Sequence, residues 1–135
     1  MGVRRQGRQM AMQALYLSDT CGLPIDQALE ASLPKDLPDA AADFARRLAG
    51  GASGSRDDID KVLVKYAENW EISRMAAVDR NILRLAAYEI LNDLDTPVSV
   101  VIDEAIEIAK SYSTNDSGKF VNGILDKVKK ERPAQ

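Results

Sequence analysis

The chain has 135 residues, 45% hydrophobic and 29% charged, with a net charge of −3, which fits one domain able to bury a core without staples. It contains no histidine and a single cysteine, Cys21, which removes Ser-His-Asp and Cys-His catalysis, histidine metal ligands and any cysteine-built zinc set. No charge-free run approaches the length of a bilayer span and no signal-peptide pattern follows the N-terminal arginines, so a cytoplasmic protein is expected.

The charge is unevenly placed. Residues 1–16 carry +3 through Arg4, Arg5 and Arg8, and residues 127–135 carry +3, leaving −9 on residues 17–126. Basic ends hint at an anionic partner, although short basic termini also occur simply as solubilising ends.

Apolar spacing predicts a first helix from about Arg4 to Ser18, with Met12, Leu15 and Tyr16 at core-type positions. Arg4 and Arg8 share a face one helical step apart. Cations at a helix N-terminus oppose the macrodipole, so three arginines there weaken the helix slightly and favour a functional reason for them. Gly22 ends this helix, and Pro24 opens a short one from Ile25 to about Ser32. Asp36 is the expected N-cap of the next. From Phe44 through Leu48, Gly51, Ser55, Ile59, Val62 and Tyr66 the helical phase is unbroken, which favours one long, kinked helix over about 39–67. A break near 53–56 at the glycines is the alternative.

After Trp70 and a short turn, Met75–Leu94 is apolar nearly all round, and such a helix is covered on several sides. It is the expected centre of the fold. Val98 to Tyr112 forms an amphipathic helix with Ser99 as expected N-cap, and Ser113–Gly118 is a polar break. The last helix, about 117–130, turns Phe120, Val121, Ile124, Leu125 and Val128 inward. No strand-like alternation occurs, so the chain reads as all-α with about seven helices.

The glycine-rich run Gly50–Ser55 lacks the Gly-Lys-Ser/Thr ending and the preceding strand of a phosphate loop, so close helix packing or a kink explains it better. The carboxylate groups around Asp57, Asp93 and Asp103 read as solvated helix faces, not as metal sites. Glu89 lies among apolar neighbours and must find a partner or reach the surface. What remains is a basic first helix and a second polar and basic site around Asp116, Ser117, Lys119 and Phe120. Arg and Lys neutralise phosphates, and an aromatic ring at a helix start can stack on an unpaired base. Phe120 also fits the inward row, where such a residue more often belongs.

Taken together, Arg4-Arg5 through Met12-Gln13-Ala14-Leu15-Tyr16, Trp70, and the stretches 78–91, 97–112 and 119–128 resemble the bacterial NusB family of transcription antitermination factors. The resemblance runs nearly the whole length, with the motifs in family order. It implies an all-α single domain over 1–135, two small helical bundles (1–68 and 69–135) packed around the central helix. It also implies a non-enzymatic adaptor without a cofactor, which binds the boxA element of ribosomal RNA leader transcripts. Its partner would be NusE, the tenth small-subunit ribosomal protein, within the complex that keeps RNA polymerase processive.

Carried over by motif, Arg4, Arg5, Arg8, Gln13 and Tyr16 match the RNA-contacting first helix. Asp116, Ser117, Lys119 and Phe120 match a polar loop and helix start on the same RNA face, and Asp79 matches an acidic position facing NusE. Gln6 and Gly7 depart from the family pattern of another basic residue and an alanine, which thins the basic face. Two other readings stay open. One is a detached accessory module of an RNA cytosine methyltransferase, although the chain has no Rossmann-like glycine loop and no second cysteine. The other is a homodimer that hides its RNA surface.

Overall fold

The computed structural model describes residues 2–133. Among these are seven α-helices: α1 Val3–Cys21, α2 Ile25–Ser32, α3 Asp39–Gly54, α4 Arg56–Tyr66, α5 Ala77–Asn92, α6 Val98–Tyr112 and α7 Asn115–Val128. Single 3-10 turns lie at Ile72–Arg74 and Lys129–Glu131. Helix α5 is the centre, with ten of its sixteen residues buried, and it packs on α1, α3, α4, α6 and α7. The remaining contacts fall into two groups. Helices α1, α2 and α3 pack on one another, while α6 packs on α7, and α4 on α7 as well as α5. One aliphatic core joins both groups through Ile82, Leu83, Leu85 and Ile90.

Helix boundaries follow from glycine and proline. Gly22 takes φ 70 and its N–H returns to the Ser18 carbonyl, a left-handed cap that a side chain would strain. Pro24, Pro38 and Pro97 each stand immediately before a first helical residue, with φ already between −58 and −54. They displace the expected polar caps: Asp36 lies in the turn ahead of α3, and Ser99 is inside α6. Among the described residues only Thr114 caps a helix with its side chain, its hydroxyl accepting from the Ser117 N–H at 3.1 Å.

The long helix expected over 39–67 is broken. Ser55 leaves helical geometry at φ −107, ψ 15, separating α3 from α4. Hydrogen bonds from Ser55 N–H to the Gly51 carbonyl and from Ile59 N–H to the Ser55 carbonyl carry the chain across, which is why the apolar phase survives. Gly50, Gly51 and Gly54 lower the local helix propensity. Gly51 is fixed by packing, because a Cβ there would lie 2.1 Å from the Tyr88 ring. Among the described residues no helix is long and apolar enough to cross a membrane.

Candidate nucleic-acid interface

The three arginines of α1 have different fates. Arg4 is exposed, stacks 5.2 Å from the Phe44 ring centre and donates to the Thr96 hydroxyl at 3.3 Å. Arg5 is exposed and forms a two-pronged bridge to Glu104, at 3.0 and 3.1 Å. Arg8 is buried. Its Nε donates to Glu89 at 2.9 Å, and the pair is sealed in the core. Burial pulls the Arg8 guanidinium down, yet the hydrogen bond and charge of Glu89 hold it above its ordinary value on balance. Arg8 therefore does not share an accessible face with Arg4, and the partner that Glu89 needed is found. Arg4 and Arg8 share a side of α1 and the Phe44 ring, but one turn further along α1 that side is covered by α5, whose Glu89 takes Arg8.

Gly7 belongs to the same packing. A Cβ on it would come within 2.8 Å of Phe44 Cδ2 and 3.0 Å of the Ala41 carbonyl oxygen, so it lets α1 and α3 approach. It sits inside an α1 that is helical from Val3 onward. The approach also creates a cationic feature that the sequence did not reveal. The guanidiniums of Arg4, Arg8 and Arg47 all lie 5.1–5.3 Å from the Phe44 ring centre. Arg47 is half exposed and stands 3.5 Å from Asp93. The Arg46-Arg47 pair, two and three residues after Phe44, was the only available signal.

Helices α1 and α6 run in register along an exposed strip. Arg5 meets Glu104, and eight residues further along both helices Gln13 Nε2 donates to the Tyr112 hydroxyl at 2.6 Å. That spacing is about 12 Å of helix. Tyr16 follows on α1, 39% exposed, and Tyr112 is 40% exposed. Tyr112 immediately precedes the polar break leading into α7, so the strip runs from the basic start of α1 to the second predicted site. Lys119 and Asp116 are exposed there, while Phe120 is half-buried.

Asp79, expected on the side facing a protein partner, falls in the same place. It lies in the first turn of α5 and lines an open cleft of about 400 Å³ with Trp70, Met75, Ala76, Thr114, Asp116, Ser117 and Phe120. Asn69 adopts a left-handed φ of 67, and Trp70 beyond it stands 54% exposed. Its ring meets Phe120 edge-on at 5.2 Å and 70°. Ser117 donates its hydroxyl proton to Asp79 Oδ2 at 3.3 Å, and Asp79 Oδ1 is buried without any hydrogen-bond partner. Burial pushes the Asp79 carboxyl above its usual range, and the Ser117 hydrogen bond only partly offsets this.

Around Asp19 charge is internally compensated. Asp19 on α1 accepts from Arg80 and Asn81 and lies 3.4 Å from Arg84 and 3.6 Å from Arg56. Arg84 also bridges Asp60. This network ties α1, α4 and α5 together along an open cleft of about 510 Å³.

Comparison with known proteins points in one direction. The sequence matches the model of the NusB family over residues 5–130. The transcription antitermination protein NusB of Symbiobacterium thermophilum is 46% identical over 134 residues, covering 93% of this chain and 88% of that protein. Among solved structures, NusB of T. maritima is similar at a TM-score of 0.90 and 43% identity, covering 97% of this chain and 93% of that one. A chain in a crystal structure of the antitermination factors NusB and NusE in complex with double-stranded RNA gives a TM-score of 0.82 at 27% identity. It covers 95% of this chain and 96% of that one.

Proposed function

The chain belongs to the NusB family, and from that premise we propose that it acts in the cytoplasm as an RNA-binding adaptor of transcription antitermination. The family is one of transcription factors, not enzymes. The adaptor would bind boxA-type single-stranded RNA of ribosomal RNA leaders together with NusE and so keep RNA polymerase processive. The observation that supports an RNA face on this chain is the exposed strip that begins at Arg4 and Arg5, continues through Gln13, Tyr112 and Tyr16, and ends at Asp116, Lys119 and Phe120. Cations at one end supply attraction for phosphates, and aromatic and amide groups further along supply stacking and hydrogen bonds for bases. Arg8 contributes by holding α1 against α5, not by touching RNA.

The test is binding of a fluorescent boxA-like single strand, with and without NusE, over a range of salt. Sequence-dependent binding that tightens with NusE and weakens with salt is the expected result. Capture of NusE with no preference for boxA-like RNA, by the chain or by the pair, would overturn the RNA assignment.

A further inference from the structure

The two basic ends of the sequence meet in space, at the turn between α5 and α6. Arg4, near the start of α1, donates to the Thr96 hydroxyl at 3.3 Å, while Arg132, beyond α7, donates from Nη2 to the Thr96 and Asp93 carbonyls at 2.7 and 2.8 Å. A third guanidinium comes from α3. Arg47, its side chain 54% exposed, lies 3.5 Å from Asp93 and shares the Phe44 ring with Arg4. Segments far apart in sequence thus deliver arginines to one corner of the molecule.

What sets these arginines apart is how little of their bonding capacity the fold uses. A guanidinium carries five N–H donors. Among the described residues, Arg47 makes no hydrogen bond, Arg4 makes a single long one and Arg132 engages Nη2 alone. The Phe44 ring, itself 8% exposed, holds Arg4 and Arg47 by cation–π attraction, which fixes their position and consumes no donor. Arg80 and Arg84 form the contrast, since Asp19, Asp60 and backbone carbonyls take their donors. Guanidiniums held in place with donors to spare match the oxygens of a phosphate. Two carboxylates stand at the corner against the three arginines. Asp93, 12% exposed, is engaged by Arg47 and the Thr96 hydroxyl, and Asp95 lines an open cleft of about 420 Å³ with Arg132, so positive charge remains in excess.

We propose that this corner is a phosphate track for the RNA flanking the specifically bound strand, with Arg47 and Arg132 continuing the line of Arg4 away from Gln13 and Tyr16. The inference rests on the RNA reading above and adds a second segment of contact that reads no sequence. Arg4 belongs to both the strip and the corner, so a strand on the strip runs into the corner without a gap. The Phe44 ring is covered and cannot stack on a base, which leaves the corner serving backbone alone. Because it lies beyond the Arg4 end of the strip, only one of the strand's two flanks reaches it.

The experiment titrates the full chain, with NusE present, against fluorescent strands of three kinds: a boxA-like core, the core with a run of uridines added at its 5′ end, and the core with the same run at its 3′ end. Expected is tighter binding on extension at one end only, with a log–log salt slope steeper by about 0.7 for each of Arg47 and Arg132. Arg47→Ala should remove one such increment from the extended strand while still capturing NusE, which shows that it is folded, and Arg47→Lys should restore the increment. Equal slopes for core and extended strands in the parent chain, a comparison that needs no variant, overturn the track and leave the adaptor reading standing. An extension effect that survives Arg47→Ala unchanged overturns it too. If that variant instead loses NusE capture while the extension effect persists, the corner belongs to the protein partner and the track is again overturned. If the core strand itself fails to bind, the adaptor reading falls and takes the track with it.

Discussion

Arg8 on α1 and Glu89 on α5, 81 residues apart in sequence, meet inside an aliphatic core with Nε 2.9 Å from Oε1 and both side chains at most 5% exposed. A pair sealed this deeply is costly to break and cheap to replace. Removing one partner strands a buried charge, which costs about 3–5 kcal/mol, whereas exchanging both for apolar groups is often neutral or better. Arg8→Ala is therefore expected to lose about that much in urea denaturation, and Arg8→Met with Glu89→Leu to recover most of it. A loss below about 1 kcal/mol for Arg8→Ala would mean that the charge finds water.

The same geometry changes the salt dependence expected of RNA binding. Three arginines on one face would give a log–log slope near −2, at roughly −0.7 per phosphate on a single strand. With Arg8 buried, Arg4 and Arg5 alone give about −1.4. Arg47, sharing the Phe44 ring with Arg4, restores the third contact if the strand passes over α3. Binding isotherms across salt should show a slope shallower by about 0.7 in Arg47→Ala. Glu104→Gln should tighten binding, because Arg5 no longer has to leave a carboxylate to reach a phosphate. Weaker binding of Glu104→Gln would mean that the bridge orients Arg5 for RNA.

Much of the fold was legible because it rests on signals that are local in sequence. Gly22, Pro24 and Pro97 punctuate the helices, and the all-round apolar character of Met75–Leu94 marks the centre. What escaped was set by contacts between distant segments. Periodicity placed Arg8 beside Arg4, but nothing near position 8 shows that Glu89 waits across the core. The unbroken apolar phase through Ser55 concealed a break, because a single non-helical residue bridged by two hydrogen bonds preserves the phase. Asp79 and the loop near Asp116 were recognisable separately. Their meeting in one cleft depends on how α7 packs against α5, which no local pattern encodes.

The glycines of the helices divide by what surrounds them, and alanine substitution should expose the division. Gly50 lies in α3 with open space where a Cβ would go, so Gly50→Ala should stabilise by up to about 1 kcal/mol through helix propensity alone. One residue on, a Cβ at Gly51 would overlap Tyr88, and a side chain at Gly7 would press on Phe44 and the α3 backbone. Both substitutions should destabilise by about 1–3 kcal/mol, the usual cost of overpacking. Thermal melts of the three variants check this, and equal effects at Gly50 and Gly51 would show that Tyr88 swings aside freely.

Asp19 and Asp79 should respond to acid in opposite senses. Burial alone would raise the Asp19 carboxyl, but hydrogen bonds from Asn81 and Arg80 and the charges of Arg80 and Arg84 hold it below its ordinary 3.8. The unfolded chain then binds the proton more readily than the folded one, so Asp19 contributes stability above about 3.8 that is lost as pH falls through its depressed value. Asp79 is raised, chiefly by burial. The folded chain takes up its proton first, so at neutral pH the ionised Asp79 costs stability, and that cost is relieved as pH falls through the raised value toward 3.8.

Asp19→Asn should therefore be destabilised by about 1.5–3 kcal/mol at pH 7, the worth of charge-assisted hydrogen bonds, with the deficit shrinking in acid. Asp79→Asn should be at least as stable as the parent at pH 7, by up to about 1 kcal/mol, with the advantage fading in acid. Unfolding free energies measured from neutrality to below pH 4 decide the matter. A destabilised Asp79→Asn at pH 7 would mean that the carboxylate is satisfied within the fold.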